Sequence, residues 1–248
     1  MKVLYRFTDT NNGKNRPAWF HKRRLLEQAI YIFRNHDFYL MADNITYDTY
    51  TQYLVTLLPS DRIIVTSCGN SKSFISFMHF ALQTFSDENE IIYFAEDDYV
   101  YTSHAPAILQ EGLGIADYVT GYDHRDKYME VSNGGNPLVT EGGESTRVLL
   151  TASSHWKITN STCMTFGTRL KTLREDAQVF EEHCQDSIPH DFMLFLQLGR
   201  NGRKLVSCIP GVCTHCDPLT MAPLIDWEKT LNETTNAISA AKNAFVQV

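Results

Sequence analysis

IIYFAEDDYVY, residues 91–101, decides how the chain reads. Ile91, Ile92, Tyr93 and Phe94 favour a strand, Glu96, Asp97 and Asp98 follow at its end, and β-favouring residues resume at Tyr99. Three adjacent carboxylates beside an apolar strand are costly to bury, because each raises the pKa of the next unless a cation compensates. A divalent cation at the strand end answers that cost. Hard oxygen ligands suit Mg²⁺ or Mn²⁺ and leave open positions for water and phosphate oxygens. The plainer alternative is a solvated acidic turn between two strands.

Upstream of this stretch the pattern is strand, then helix, three times over. Residues 2–8 alternate as a strand, and the polar TDTNNGKNRP, with Gly13 and Pro17, is a loop. A helix over 19–33 carries Leu25, Ala29, Ile32 and Phe33 on one stripe. A short strand over 38–41 ends in Ala42-Asp43-Asn44, and a helical stretch with Tyr50, Tyr53, Leu54 and Leu57 follows. RIIVTS, residues 62–67, is the third strand; a turn over 68–71 leads into a helix over 73–85 with Phe74, Phe77, Met78 and Leu82 inward. Three such units before a fourth strand predict an α/β fold with a mainly parallel central sheet and helices on both faces. Ligands bind such sheets at the carboxyl ends of the strands. Thr8, Asp43, Ser71, Glu96, Asp97 and Asp98 all fall there.

Downstream, a short helix over 105–110 precedes a strand over 117–122. His124-Arg125-Asp126 evokes a kinase catalytic loop, but Val131 stands where an Asn is required and no glycine-rich loop precedes it. Residues 132–146, with four glycines and a proline, read as a mobile loop or hairpin tip. Strands are predicted over 147–152 and 158–166, and a helix over 170–184. Asp191 opens an apolar helix over 192–198, where capping and the helix dipole suffice to explain an acid. A strand over 205–209 runs into PGVCTHCD, and a closing amphipathic helix over 226–245 places Trp227, Leu231, Ile238, Ala241 and Phe245 on one face. Neither a repeat nor a linker interrupts residues 1–248, which predicts a single domain.

A net charge of −7, with Lys22-Arg23-Arg24 as the one dense basic run, argues against a nucleic-acid partner. No apolar run reaches transmembrane length and the N-terminus lacks a signal-peptide pattern, so the expectation is a soluble cytoplasmic protein. Cysteines 68, 163, 184, 208, 213 and 216 are not spaced as a disulfide framework and are expected to be reduced. Cys213-x-x-Cys216, with Cys208 and His215, makes at most half of a zinc site. His215, past a strand and beside Gly and Pro, is a candidate ligand for the metal at the acidic strand end, or a structural hydrogen-bonding residue.

The order of strand–helix units, YFAEDDY, the HDF that precedes a helix, and the late GVCTH together resemble the metal-dependent glycosyltransferases of the GT-A (Rossmann-like) fold. That resemblance implies that Glu96-x-Asp98 stands for the DxD motif of the family, with Asp98, His215 and Glu96 as ligands of Mn²⁺ or Mg²⁺. It implies Thr8, Asp43, Ser71 and Lys72 as the grip on the nucleotide, Asp97 beside the ribose or sugar of the donor, and Asp191 as the catalytic base of an inverting transfer. A nucleotide-binding half of about 1–100, an acceptor and catalytic half of about 101–225 and a C-terminal helix of about 226–246 follow from it. The implied donor is UDP-linked, such as UDP-xylose, UDP-glucose or UDP-rhamnose, and the acceptor a hydroxyl of a glycan or glycoprotein. The compact form resembles the small soluble glycosyltransferases of large algal viruses, chlorella viruses among them, which would place it in a host cytoplasm. Two alternatives stay open: a sugar-nucleotide nucleotidyltransferase, for which NNGKNR at 11–16 is a partial basic loop, and a non-catalytic nucleotide-sugar or glycan-binding module. A His190-Asp191 phosphohydrolase would need an all-helical chain.

Overall fold

The computed structural model describes residues 1–10 and 13–246, with side chains as far as Asn243. Asn11 and Asn12 of the basic loop and the Phe245 side chain lie outside the described residues.

Strands β1 (Lys2–Phe7), β2 (Asp37–Asp43), β3 (Ile63–Thr66) and β4 (Ile91–Ala95) lie side by side in the order β3-β2-β1-β4, all parallel. They are joined by α1 (Lys22–Ile32), by short turns α2 (Tyr47–Thr49) and α3 (Val55–Leu57) about a π turn, and by α4 (Asn70–Thr84). The twofold period of a strand builds two cores from one segment. Val3, Tyr5 and Phe7 point to the face covered by Leu25, Leu26 and Ala29 of α1, and Leu4 points to the face covered by Phe74, Phe77 and Met78 of α4. With both faces covered, these strands read as nearly continuous apolar runs, as parallel strands do.

The second half adds β5 (Tyr99–Tyr101), α5 (Ala105–Gly112), β6 (Tyr118–Thr120), β7 (Val148–Leu150), β8 (His155–Ile158), β9 (Phe166–Arg169), α6 (Leu170–His183), α7 (Asp191–Arg200), β10 (Leu205–Ile209), β11 (Cys213–His215) and α8 (Trp227–Val246). One sheet of nine strands, β3-β2-β1-β4-β9-β6-β10-β8-β7, runs through both halves. Seven of its strands share one direction; β8 and β9 are reversed. The α/β architecture with a mainly parallel sheet and helices on both faces is the one the sequence predicts.

Several local expectations are corrected. The strand predicted over 158–166 is a loop that joins β8 to β9 and meets them only at Ile158 and Phe166; within it Cys163 and Met164 adopt left-handed backbone at φ 48° and 60°. Thr159, Thr162 and Thr165 lend that loop strand propensity, while Asn160 and Ser161 within it mark the break. Residues 213–215, past the strand predicted over 205–209, form β11, which pairs antiparallel with β5 in a separate two-stranded sheet. Of the two readings of residues 132–146 the hairpin tip holds at Thr140 and Gly143, which bridge antiparallel, and the segment is packed: Asn136 and Val139 are buried, and the Glu144 N–H donates to the Lys127 carbonyl at 2.9 Å. Helix α8 packs through its first half, where Trp227 and Leu231 are buried, while Ala241 is exposed. Cys208, Cys213 and Cys216 are buried, but among the described residues no group of three or more His, Cys, Asp and Glu side chains is placed to hold a metal, which removes the zinc alternative. No helix among the described residues is long and apolar enough to cross a membrane.

Candidate functional site

The carboxyl ends of β1, β2 and β4 open into a cleft of 380 Å³. Thr8, Asp43, Glu96, Asp97, Asp98, Asp191 and His215 line it, as do Lys14 of the basic loop and Arg6, Asn44, Asn70, Ser73, Cys163 and Met164, which sequence reading did not single out. Ser71 and Lys72 do not line it: Ser71 is buried within α4 and Lys72 is exposed in the first turn of that helix.

Each acid of the Glu96-Asp97-Asp98 triplet has a cation from the first 22 residues. Arg6, at the end of β1, donates from Nε and Nη2 to Glu96 Oε1 at 2.9 and 2.7 Å, and also to Ser73 Oγ at 2.9 Å and to the Asn70 carbonyl. Alternation on β1 explains its position: it follows Leu4 on the α4 face, at the end of the strand that opens into the cleft. Lys22, in the first turn of α1, donates to Asp97 Oδ2 at 2.9 Å, to the Thr8 carbonyl at 3.1 Å and to the Thr10 carbonyl at 2.9 Å. Asp97 Oδ2 also accepts the Thr8 N–H at 3.0 Å. Arg16, from the loop after β1, donates from Nη2 to Asp98 Oδ2 at 2.5 Å. The charge that called for a compensating cation is therefore met within the chain, and the exposed-turn alternative fails because all three side chains are largely shielded.

Protonation follows from these surroundings. Burial pushes the Glu96 carboxyl up to about 7, against the pull of Arg6. Burial also raises Asp97, with Lys22 opposing. At Asp98 burial acts in the same sense but is outweighed by His215 and Arg16, which hold its carboxyl well below the usual range.

Asp98 and His215 meet because Asp98 directly precedes β5 and His215 ends β11, with Tyr99 and His215 as register partners. The Cys216 N–H donates to the Asp98 carbonyl at 2.8 Å and closes the junction. His215 Nε2 lies 3.0 Å from Asp98 Oδ2. Two ligands at right angles on a divalent ion, each about 2.1 Å from it, are about 3 Å apart, so this pair fits one edge of such a shell. Substrate and water oxygens would have to complete it. Glu96 is turned to Arg6 instead.

The other predicted residues hold the walls. Asp43 accepts the Thr66 hydroxyl at 2.9 Å, the Cys68 N–H at 2.8 Å and the Gly69 N–H at 3.0 Å, and so ties the end of β2 to the start of α4. Asp191 accepts four donors from the loop between β8 and β9: the Thr162 hydroxyl at 2.6 Å and N–H at 2.7 Å, and the Cys163 and Met164 N–H groups, both at 3.0 Å. Its lone pairs are occupied in this state. No residue of 132–146 lines the cleft.

No known family profile matches the chain. No curated protein matches it either. Among solved structures it is similar to the inositol-1-phosphate CTP transferase from T. maritima, at 10% identity over 94% of this chain and 95% of that one, with a TM-score of 0.48. It is also similar to the galactosyltransferase LgtC in complex with donor and acceptor sugar analogues, at 10% identity over 84% of this chain and 73% of that one, TM-score 0.44. A third is the 4-diphosphocytidyl-2C-methyl-D-erythritol synthase from Anaerococcus prevotii DSM 20548, at 10% identity over 96% of each chain, TM-score 0.44. With scores below 0.5 these likenesses carry nothing about activity, and the fold stands on the strand order itself.

Proposed function

We propose that the chain is a metal-dependent glycosyltransferase that moves a sugar from a UDP-linked donor, with xylose, glucose or rhamnose as the sugars to try first, to a hydroxyl of a glycan or glycoprotein. The observation that carries this reading is the convergence of Thr8, Asp43, Asp97, Asp98 and His215, from separate segments, on one cleft at the strand ends. Its volume is in the range of small-ligand sites. The donor is proposed to lie against residues 1–100 and the acceptor against 101–225, in a cytoplasmic setting that for a virus-encoded enzyme is that of the host.

Asp98 and His215 are the residues that would hold Mn²⁺ or Mg²⁺, which when bound neutralises charge on the departing diphosphate. Lys14, exposed at the mouth of the cleft, adds a second positive charge toward the same group. Asp43 and Asp97 fix the β3–α4 loop and the exit of β1, against which the nucleotide rests. For an inverting transfer the acceptor hydroxyl takes the place of the Thr162 hydroxyl on Asp191 Oδ1 and gives up its proton there. The three backbone N–H groups of 162–164 keep the carboxylate aimed during that exchange.

Product analysis on a panel of nucleotide-sugars with Mn²⁺ tests the reading. Release of nucleoside diphosphate with sugar transferred or hydrolysed supports it; no turnover and no binding of any nucleotide-sugar refutes it. Nucleotidyl transfer is the second reading, favoured by the loop after β1 that brings Lys14 and Arg16 to the acidic strand end. That chemistry would release pyrophosphate instead. Binding without any metal-dependent hydrolysis would leave the non-catalytic module.

A further inference from the structure

We infer that Arg16 and a divalent ion exclude one another at the Asp98–His215 pair, so that the loop after β1 must withdraw Arg16 before the ion can bind. The inference rests on the metal reading above. Arg16 Nη2 donates to Asp98 Oδ2 at 2.5 Å, Nη1 donates to the Cys216 carbonyl at 2.8 Å, and Nη1 lies 3.4 Å from His215 Nε2. An ion about 2.1 Å from both Oδ2 and Nε2 would press into the space of the guanidinium. It would also face a full positive charge at close range, where repulsion is little screened.

The arginine is not an incidental neighbour. Its guanidinium lies over the Phe20 ring at 4.9 Å from the centroid, and its side chain is 11% exposed. It therefore serves as an internal cation that satisfies a buried acid until a metal replaces it. Arg16 and Phe20 both lie on residues 13–21, ahead of α1 and outside the strands that position Asp98 and His215.

The opposite arrangement is physically reasonable and makes the opposite prediction. A supporting Arg16 could orient Asp98 so that its other oxygen meets the metal, as hydrogen-bonded partners of ligands often do, and its loss would then weaken the ion.

The test measures Mn²⁺ binding to the full chain by electron paramagnetic resonance, with and without UDP, for the wild type, Arg16→Gln, Arg16→Lys, and Arg16→Gln combined with His215→Ala. Exclusion predicts that Arg16→Gln binds Mn²⁺ about tenfold more tightly, within the usual range of coupling between two sites. It further predicts that Arg16→Lys, which keeps the charge, stays near the wild type, and that adding His215→Ala removes the gain. Equal or weaker binding by a folded Arg16→Gln, as checked by circular dichroism, overturns the exclusion while leaving the metal reading in place. No Mn²⁺ binding by any variant, even with UDP, overturns both.

Discussion

Asp191 Oδ1 accepts the Thr162 hydroxyl at 2.6 Å, and its Oδ2 accepts the Thr162 N–H at 2.7 Å. Cys163 and Met164 follow at φ 48° and 60°, a conformation that costs about 1 kcal/mol or more per non-glycine residue. The four hydrogen bonds to Asp191 hold that turn against its own strain, so the residue has a structural part whatever its chemical one. In Asp191→Asn an NH₂ group would face donors it cannot accept from. The expected cost is about 2–4 kcal/mol in calorimetric unfolding, and a variant as stable as the wild type would show the clasp to be unimportant. Thr162→Val deletes only the hydroxyl and should cost about 1 kcal/mol. It leaves Oδ1 with the Met164 N–H alone, so it keeps or gains activity if Asp191 is the base and loses activity only if the hydroxyl itself takes part.

Arg6 and Glu96 form an ion pair with side chains 8% and 19% exposed. Without Arg6 the Glu96 carboxyl, already pushed up to about 7 by burial, protonates, so the loss is that of the charge-assisted hydrogen bonds, about 1.5–3 kcal/mol. Arg6→Met should therefore lower urea stability by about that amount, whereas Arg6→Met with Glu96→Gln should recover part of the loss. A double-mutant cycle with no interaction energy between the two positions would contradict the pairing.

The parallel half of the fold was legible because its signals are local. Apolar runs, polar strand ends and the helical stripe of α4 each sit within a few consecutive residues. The site was only half legible. The cost of burying Glu96, Asp97 and Asp98 follows from their adjacency, but spacing along a chain does not say which basic side chain folds back on which acid. Arg6, Arg16 and Lys22 were therefore missed as the partners of the three acids. The pairing of Asp98 with His215 depends on β11, a three-residue strand among Gly, Pro and Cys that has no periodicity to read. Lys72 was expected at the nucleotide for its place after a strand, and the helical turn of α4 leaves it exposed. Strand or loop at 159–165 was decided by the Asp191 clasp, a contact almost thirty residues away in sequence.

Gly112 ends α5 where the helix meets the sheet. A Cβ there would lie 2.6 Å from Trp156 Cη2 and 2.6 Å from Val119 Cγ2, both core side chains with little room to move. Gly112→Ala should thus destabilise by about 1–3 kcal/mol through overpacking, despite the better helix propensity of Ala. Urea denaturation checks this, and an unchanged or raised midpoint would mean that α5 can lift from the sheet without loss.

Lys127 is 1% exposed, with Nζ donating to Asn160 Oδ1 at 2.5 Å and lying 3.7 Å from Asp126. Burial lowers its pKa from 10.5, although Asp126 and Glu144 oppose the shift. Between its folded value and 10.5 the unfolded chain binds more protons at this residue than the native one does, so its contribution to stability rises with pH. Below that window the ammonium is charged in both states and must be buried as a charge, which is where its cost is greatest. Lys127→Met removes the titration but keeps most of the volume. The wild type should therefore gain on Lys127→Met as pH rises from neutral toward 10.5, and a stability difference independent of pH across that range would show that Lys127 is not desolvated in the native state. Tyrosines and surface lysines titrate in the same range but are common to both proteins, and the comparison cancels them.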